Sequence, residues 1–452
     1  MPSTLIDNRF LGGLFSTDAM RAVFADTATL TRYTDTEIAL ALAEGKLGLI
    51  PPDAAQAIAA HAHGIGLDVD RLQRETHNVG YPILPLVHQL AEGLAKVDAD
   101  AGKYLHWGAT TQDIMDTALV LQIREGLDVL ESDLRGVSAQ LRRLAHEHRD
   151  TPMAGRTHLQ HALPTTFGLK CAVWLGMVER NLERLQQLRP RVLVGQFAGA
   201  GGTLASLGDR GLDVQRAMMA ELKLGVPATP WHTARDGLAE TAQWLGLVTM
   251  ALGKMAFDVS LMMANEFSEV FEPFVQGRGA SSTMPQKRNP ISCEVMIGAA
   301  KTVRHLAGLA LDGAVQDFER ATGPWQAEWV AIPEAFLHTA GAVSQALFML
   351  SGLEVDAARM RQNLDSTDGL IVAEAVMMGL APVLGRNEAH DVVYAACRTA
   401  LDHKRTLADV LKATGSVTAL VSAERIDHLC NPVNYLGTAP QMVDQALVIP
   451  MH

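Results

Sequence analysis

Residues 245–262 read LGLVTMALGKMAFDVSLM, and their apolar side chains recur at alternating spacings of three and four. This spacing places six of them on one face of an α-helix. They are Leu245, Val248, Leu252, Met255, Val259 and Met262. We interpret the stripe as packing surface rather than a cofactor site, because methionine and leucine at helical spacing are ordinary core residues.

The rest of the chain shows the same helical periodicity. A second stripe runs through Val178, Leu182, Leu185 and Leu188, and we expect its helix to stop at Pro190, where a proline would break the hydrogen-bond pattern. Alternating apolar and polar segments typical of strands are scarce. We therefore predict an all-α fold with an elongated central helical bundle, residues 108–353, and smaller helical domains at residues 1–107 and 354–452.

Composition narrows the class of protein. The 452 residues are 48% hydrophobic and 19% charged, as in folded globular proteins. Lys and Arg total 38 against 50 Asp and Glu, with no basic cluster, so nucleic acid is a poor partner. The uncharged segment 335–353 contains several polar side chains and is better read as a buried helix than as a membrane span.

Cellular location follows from the cysteines and the first residues. The four cysteines lie far apart and suit neither a disulfide framework nor a zinc site. The opening residues lack the basic and apolar stretches of a secretory signal. We expect a cytoplasmic protein without a membrane partner.

The most informative loop is residues 276–290, QGRGASSTMPQKRNP. Long loops in compact helical proteins are usually functional, and this one offers hydroxyls beside cationic and amide groups. It resembles the signature loop of the fumarase/aspartase superfamily, G-S-S-x-M-P-x-K-x-N-P. Seven positions agree, and Ala280 replaces the first glycine. The matching residues are Ser281, Ser282, Met284, Pro285, Lys287, Asn289 and Pro290.

Two further segments are similar to the same superfamily in the same order. Residues 106–113, HWGATTQD, resemble its first shared region, in which the resemblance implies that Thr110, Thr111 and Gln112 bind a substrate carboxylate. Residues 155–162, GRTHLQHA, resemble its second region, in which Thr157, His158 and Gln160 would hold the leaving-group side of the substrate.

Four short stretches resemble a narrower branch, the 3-carboxy-cis,cis-muconate cycloisomerases near adenylosuccinate lyase. They are PWHTARD at 230–236, EVFEP at 269–273, WQAEW at 325–329 and YLG at 435–437. The resemblance implies lactone formation from 3-carboxy-cis,cis-muconate in aromatic catabolism. His77 and His158 instead favour an adenylosuccinate-lyase-like C–N lyase that eliminates fumarate from a succinate adduct, and this alternative stays open.

The resemblance also implies roles for the site residues. Ser281 would transfer the proton, with Ser282 as second choice, and His158 would act as the general acid or orient it. Lys287 and Asn289 would stabilise an enolate-like dianion. Arg235 and Arg320 could bind further carboxylates of a di- or tricarboxylate substrate, and ion pairing within the protein is the alternative for both.

No metal or organic cofactor is expected. His61 and His63 have no carboxylate at ligand spacing, and the glycine-rich segment 199–204 lacks the third glycine of a dinucleotide site. The superfamily resemblance implies a homotetramer whose active site draws on more than one subunit. A third hypothesis is a structural protein that has lost catalysis, as in lens relatives of the superfamily, although the intact Ser281, Lys287, Asn289 and His158 argue against it.

Overall fold

The computed structural model describes residues 4–448, and within them α-helices dominate. The helices are α1 (Gly12–Phe15), α2 (Asp18–Val23), α3 (Asp26–Leu47), α4 (Pro52–His61), α5 (Val69–Val79), α6 (Ile83–Leu94), α7 (Thr111–Glu147), α8 (Phe167–Val192), α9 (Gly211–Leu222), α10 (Asp236–Met262), α11 (Ile291–Gly313), α12 (Pro324–Ser351), α13 (Ala357–Asp365), α14 (Ala373–Leu384), α15 (Arg386–His403), α16 (Leu407–Ala413), α17 (Gly415–Thr418), α18 (Ala423–Cys430) and α19 (Ala439–Val448). The strands are β1 (Pro152–Thr157), β2 (Gln160–Thr166), β3 (Val270–Phe271) and β4 (Glu354–Val355). The predicted all-α class is confirmed.

The long helices have the periodicity that the sequence predicted. Helix α10 contains the stripe from Leu245 to Met262, and all six of its side chains are buried. The segment proposed as a buried helix, 335–353, lies in α12 up to Ser351, and its Ala335, Phe336 and Ala340 are fully buried. These stripes form core surface, as predicted.

The prediction that a helix stops at Pro190 is wrong. Helix α8 continues to Val192, with Pro190 inside its last turn. A proline there removes a single helical hydrogen bond, and the pattern resumes directly after it, with the Leu193 amide 2.9 Å from the Arg189 carbonyl. So close to the end of a helix, that loss is too small to terminate it.

The chain forms two compact units. The first comprises Met1–Asp133, Asn181–Met250 and Gly298–Ser344, and the second comprises Leu134–Arg180, Ala251–Ile297 and Gln345–His452. The division falls within helices α7, α8, α10, α11 and α12, so residues distant in sequence share a unit. These units do not correspond one to one with the three domains expected from the sequence, whose boundaries stay a prediction.

Each unit has its own hydrophobic cluster. In the first unit, α3 packs against α4 and α9, with Leu40, Val120 and Met218 fully buried among their neighbours. In the second unit, α14 packs against α15, and Val376 and Ala389 lie in that core.

The two small sheets are both antiparallel and both lie in the second unit. Strands β1 and β2 form a hairpin in which Thr157 pairs with Gln160, and β3 pairs with β4. The hairpin carries the second region of the superfamily pattern, which the sequence had not assigned to a structure.

One helix of the described chain, α10, is long and apolar enough to span a membrane by length and composition alone. Half of its most apolar window is buried inside the protein, and a buried core helix passes the same test. A second candidate, Ala357–Asp365 with Leu370–Leu384, passes only as a pair and is bent by 79°.

Two helical glycines of the first unit allow a matched test of packing. A Cβ at Gly341 would lie 2.2 Å from a backbone carbon of Phe15, whereas a Cβ at Gly308 would have no atom of the described chain within 4 Å. We expect Gly341→Ala to lower the free energy of unfolding by about 1–3 kcal/mol, because a backbone must move. Gly308→Ala should raise it by up to about 1 kcal/mol through helix propensity alone, as measured by urea denaturation. Equal effects would contradict the close approach of Phe15.

Candidate active site

The first region of the pattern lies at the start of α7 in the first unit. The Asp113 carboxylate accepts a hydrogen bond from the Thr110 amide at 3.0 Å, which is one half of a capping box. Thr110 and Thr111 remain partly exposed at this helix start. Their hydroxyls and the free amides of a helix N-terminus suit an anionic group.

Gln112 does not share this exposure. Its side chain is fully buried, and its Nε2 donates to the backbone carbonyl of His232 at 2.9 Å. The prediction that Gln112 binds a substrate carboxylate is therefore not supported by its position in the structure. A glutamine directly after two exposed threonines turns to the opposite face of the helix, because successive helical residues diverge by about 100°.

Asp113 organises the loops around this helix start. Its two oxygens accept hydrogen bonds from the Ala198 amide at 3.0 Å and the Gly199 amide at 2.9 Å, and its Oδ1 also lies 2.7 Å from Nε2 of His232. Asp113 is fully buried. One carboxylate thus holds both the glycine-rich loop and the 230–236 segment against α7, and the glycine-rich sequence serves a turn rather than a dinucleotide.

For Arg235 the structure shows the alternative that the sequence left open, ion pairing within the protein. Its side chain is almost completely buried. The guanidinium donates two hydrogen bonds to Asp116, at 2.6 and 2.9 Å, and its Nε donates to Glu328 at 2.9 Å. Burial by itself lowers the pKa of Arg235, but the two carboxylates raise it above the ordinary value. The predicted carboxylate binder binds carboxylates of its own chain, so it supports the site instead of contacting substrate.

Arg320 fits its predicted role better. Its Nη1 lies 3.3 Å from the Thr110 hydroxyl, and its Nη2 donates to the carbonyl of Ala200 at 3.0 Å. A partly exposed guanidinium beside Thr110 adds positive charge where a carboxylate would be bound. His77 is also in the first unit, exposed in the last turn of α5.

The second region forms the tip of the β1–β2 hairpin in the second unit. His158 and Leu159 are the two central residues of the turn, with φ values of 52° and 63°. This left-handed conformation is typical of a type I′ hairpin turn and costs energy for residues other than glycine. The exposed residues of the tip are Thr157, His158, Leu159 and Gln160.

The hairpin is fixed from below by an ion pair. Arg156 donates to both oxygens of Glu269, at 2.6 and 3.0 Å, and its guanidinium lies 4.6 Å from the ring centre of Phe267. Asn363 donates to the same carboxylate at 2.9 Å. Burial, and then the charge of Arg156 opposite it on β1, lowers the pKa of His161, although the charge of Glu269 opposes the shift.

The third region is a loop closed at its base. The backbone amide and the side-chain amide of Asn289 both donate to the Gly279 carbonyl, at 3.1 and 3.0 Å, and Ala280 pairs with Arg288. Gly279 has φ +67°, and a Cβ there would lie 2.7 Å from the Asn289 carbonyl oxygen. Asn289 therefore latches the loop, a contact that the sequence pattern did not reveal.

Within the loop, the two serines differ. The Ser281 hydroxyl accepts hydrogen bonds from the amides of Met284 at 3.1 Å and Thr283 at 3.3 Å. Two amides aimed at one oxygen stabilise negative charge on it, which is what an alkoxide needs. The Ser282 side chain is exposed and makes no hydrogen bond with any residue from 4 to 448. This contrast favours Ser281 as the proton-transfer residue.

Of the three basic residues of the loop, two bind other parts of the protein and one is exposed to solvent. Arg288 binds Glu354 at 2.9 Å and the Glu272 carbonyl at 2.6 Å, and Arg278 donates to Gln345 at 2.6 Å. Lys287 is exposed and forms no ion pair within the described chain. Lys287 is thus the cation of this loop that is available to an anionic ligand.

The site residues fall into two sets. The first unit holds His77, Thr110, Thr111 and Arg320 as available groups, with Gln112 and Arg235 turned inward. The second unit holds Thr157, His158, Gln160, Ser281, Ser282, Lys287 and Asn289. Among the described residues, no group of three or more His, Cys, Asp or Glu side chains could hold a metal ion.

Comparisons with known proteins agree with these motifs. The family described as Lyase matches residues 14–304, and the family described as Adenylosuccinate lyase C-terminus matches residues 369–446. A 3-carboxy-cis,cis-muconate cycloisomerase of Pseudomonas aeruginosa is 46% identical, over 97% of this chain and 96% of its own. The chain belongs to the fumarase/aspartase superfamily.

Other members of the superfamily show the breadth of its chemistry. The crystal structure of a 3-carboxy-cis,cis-muconate lactonizing enzyme from Pseudomonas putida superposes with a TM-score of 0.93 at 44% identity, covering 97% of this chain and 98% of that one. An N-acetyl-S-(2-succino)cysteine lyase of Dickeya dadantii is 39% identical over 99% of this chain and 98% of its own. The chain is an enzyme of the superfamily's cycloisomerase and lyase type, as predicted.

The sequence pattern missed the residues that support this superfamily site. Glu269 and Glu272 stand in the EVFEP stretch, and Glu328 stands in WQAEW, so the resemblance marked them without explaining them. Asp116 carried no such signal. Only the fold shows that it pairs with an arginine 119 residues away.

The strained turn at the hairpin tip can be tested directly. Leu159 is 70% exposed and left-handed, so Leu159→Gly relieves strain without opening the core. We expect the variant to be more stable by about 1 kcal/mol, after part of the gain is offset by the freer unfolded chain. Chemical denaturation would measure the change.

A matched control lies on the adjoining strand. Leu163 has 36% exposure and lies in β2, where glycine gains no conformational relief. Leu163→Gly should lose roughly 0.5–1 kcal/mol. If both glycine variants were destabilised alike, the turn would not be strained as described.

Proposed function

We propose that the protein is a cofactor-independent cycloisomerase that converts 3-carboxy-cis,cis-muconate into its lactone, in aromatic catabolism. The observation that carries the proposal is the Ser281 hydroxyl held by two backbone amides on the signature loop of a chain 46% identical to a cycloisomerase. The reaction needs a proton-transfer group and a dianion-stabilising pocket, and these residues supply both kinds of group.

The chemistry assigns a role to each available residue. In lactone formation a carboxylate oxygen adds to one carbon of a conjugated double bond, and the neighbouring carbon, next to another carboxylate, takes up a proton. Negative charge passes into that carboxylate before protonation. Thr110, Thr111 and Arg320 bind it, Lys287 adds positive charge, and Ser281 delivers the proton.

The hairpin tip acts on the other end of the substrate. Thr157, His158 and Gln160 hold and orient the attacking carboxylate, and in the reverse reaction His158 protonates it as a leaving group. Ser282 stays the second choice for proton transfer. Asn289 supports the reaction through its latch on Gly279, and we propose that it also helps to stabilise the dianion, as the superfamily resemblance implies.

The proposed substrate-binding residues come from three regions that lie far apart in the sequence. In the superfamily that this chain resembles, such regions come together from different subunits. We propose a cytoplasmic homotetramer in which the active site draws on more than one subunit. The central domain of this assembly corresponds to residues 108–353, with terminal domains at residues 1–107 and 354–452.

A second candidate is a C–N lyase that eliminates fumarate from a succinate adduct. It is favoured by His77 and His158, which are exposed and available for a leaving group. The name of the 39% identical Dickeya dadantii relative, which acts on an S-succino adduct, also fits an elimination. Elimination runs this proton transfer in the opposite direction, since Ser281 would remove the proton from the carbon next to the carboxylate while the amine leaves, whereas lactone formation releases no group.

The two serines give a mechanistic prediction. We expect Ser281→Ala to lower kcat by about 10²–10⁴-fold with little change in thermal stability, because the hydroxyl lies in a loop and not in the core. Ser282→Ala is the matched control and should keep near-normal turnover. Loss of activity in the Ser282 variant alone would transfer the role to that residue.

A panel of four candidate substrates tests whether the protein acts on carboxymuconate or on a succinate adduct. Purified protein is incubated with carboxymuconate, adenylosuccinate, argininosuccinate and an S-succino-cysteine adduct, and ultraviolet absorbance follows the loss of the diene or the appearance of fumarate. We expect the diene absorbance of carboxymuconate to disappear without fumarate release. Consumption of a succinate adduct with carboxymuconate unchanged would establish the lyase candidate instead.

A further inference from the structure

Helix α3 of the first unit buries two glutamates that the proposed reaction does not use. Glu37 and Glu44 lie on one face of the helix, about two turns apart, and they are 1% and 0% exposed. Glutamates are almost never fully buried unless they are paired. Each of the two therefore requires a physical explanation.

Glu37 binds the residue that opens the first superfamily region. Its Oε2 accepts a hydrogen bond from the His106 backbone amide at 3.1 Å, and its Oε1 lies 2.6 Å from Nδ1 of the His106 ring. Burial lowers the pKa of His106, but the charge and hydrogen bond of Glu37, together with the charge of Asp113, raise it above its ordinary value. One carboxylate thus holds the backbone and the side chain of a single residue 69 positions away.

This double contact accounts for an unusual backbone conformation. His106 has φ 58°, in the left-handed region that residues with a side chain rarely adopt. Such a conformation costs energy and persists where the surrounding contacts impose it. The turn that starts at His106 closes with the Ala109 amide on the His106 carbonyl at 3.3 Å, directly before Thr110. Glu37 therefore fixes the entry to the helix start that carries Thr110 and Thr111.

Buried carboxylates hold both ends of residues 106–113. Glu37 binds His106 at one end, and Asp113 binds the Thr110 amide at the other. Thr110 and Thr111 lie between these two contacts and stay partly exposed. The direction in which they face a ligand depends on both contacts.

Glu44 has the opposite environment. Neither of its oxygens has a hydrogen-bond partner in the described chain. Burial, and then the charge of Glu37, raises the pKa of Glu44 to about 9, so this carboxyl is protonated and neutral at pH 7. Glu44 holds no loop, and it offers a control with the same side chain and the same burial on the same helix.

We propose that Glu37 is a positioning residue that locks the left-handed turn at His106 and thereby directs Thr110 and Thr111 toward a substrate carboxylate. The inference rests on the proposed function in taking the two threonines as carboxylate binders. Glu37 itself does not contact substrate, because it is buried and both of its oxygens face His106. A glutamine at this position keeps an oxygen for the amide and an NH₂ group for the ring nitrogen, whereas an alanine offers neither.

Hydrogen exchange tests the lock without any substrate. Full-length wild type, Glu37→Ala and Glu44→Ala are transferred to deuterated buffer, and mass spectrometry follows the amides of residues 104–113. We expect Glu37→Ala to speed their exchange at least about tenfold, because the turn loses its anchor. Glu44→Ala removes the same atoms from the same helix and should leave this segment unchanged. Equal exchange in the two variants would contradict the lock.

Binding tests the effect on the site. Tricarballylate, a tricarboxylate probe, is titrated into the same proteins by calorimetry. We expect Glu37→Ala to bind it about tenfold weaker or more, Glu37→Gln to stay within about threefold of the wild type, and Glu44→Ala to match the wild type. Unchanged affinity in Glu37→Ala, or an equal loss in Glu44→Ala, would make the role of Glu37 purely structural and overturn the proposal. So would a wild type without saturable binding up to about 10 mM.

A second variant decides if Glu37→Ala does not fold. His106→Gly removes a side chain that is 23% exposed, and glycine adopts the left-handed backbone without cost. The amide contact with Glu37 stays and the ring contact is lost, so we expect tricarballylate to bind about threefold to tenfold weaker. Wild-type affinity in this variant would refute the lock. Neither measurement uses turnover, and the carboxymuconate assay tests the proposed reaction separately.

Discussion

The ion pair between Arg156 and Glu269 is the interaction on which the site in the second unit depends. Arg156 belongs to the hairpin that presents His158, and Glu269 directly precedes β3, which leads to the signature loop. Three residues later, Glu272 accepts amides of Ser292 and Cys293 at the start of α11, where the loop ends. One short acidic segment therefore positions both the histidine and the serine. Breaking a buried ion pair of this kind on one side typically costs about 3–5 kcal/mol, because the other charge is left unpaired.

In the first unit, a different buried carboxylate, that of Asp113, fixes the loops around the first motif. Asp113 accepts backbone amides and lies beside His232, all within the protein interior, while the neighbouring Thr110 and Thr111 stay accessible. In both units, then, acidic groups are buried and fix loops, whereas hydroxyl and cationic groups of the superfamily motifs, such as Thr110, Thr111 and Lys287, stay accessible. This division is compatible with the proposed binding of an anionic substrate by a protein of net charge -12, because much of the acidic charge near these motifs is already neutralised by internal hydrogen bonds.

The sequence predicted the helices well because helical periodicity is a local property. The stripe from Leu245 to Met262 and the signature loop are both read from consecutive residues, and both have the expected structure. The internal contacts of Gln112 and Arg235 could not be read from the sequence for the opposite reason. Their partners, the His232 carbonyl and Glu328, lie 120 and 93 residues away, and no local pattern reveals which distant carboxylate will bury an arginine. Pro190 shows a third limit, since the cost of a proline depends on how close it lies to the helix end.

The left-handed turn at His158 and Leu159 shows how this fold places strain at its site. A glycine-rich turn would form the same hairpin at lower cost, yet a histidine and a leucine occupy it. Such strain persists only where surrounding contacts determine the backbone, and here the Arg156 anchor and the β1–β2 pairing do so. The turn places the His158 imidazole at an exposed two-residue tip, and the backbone on either side of that tip is held by the pairing of β1 with β2. A flexible glycine loop would fold more easily and would leave the histidine without a fixed direction.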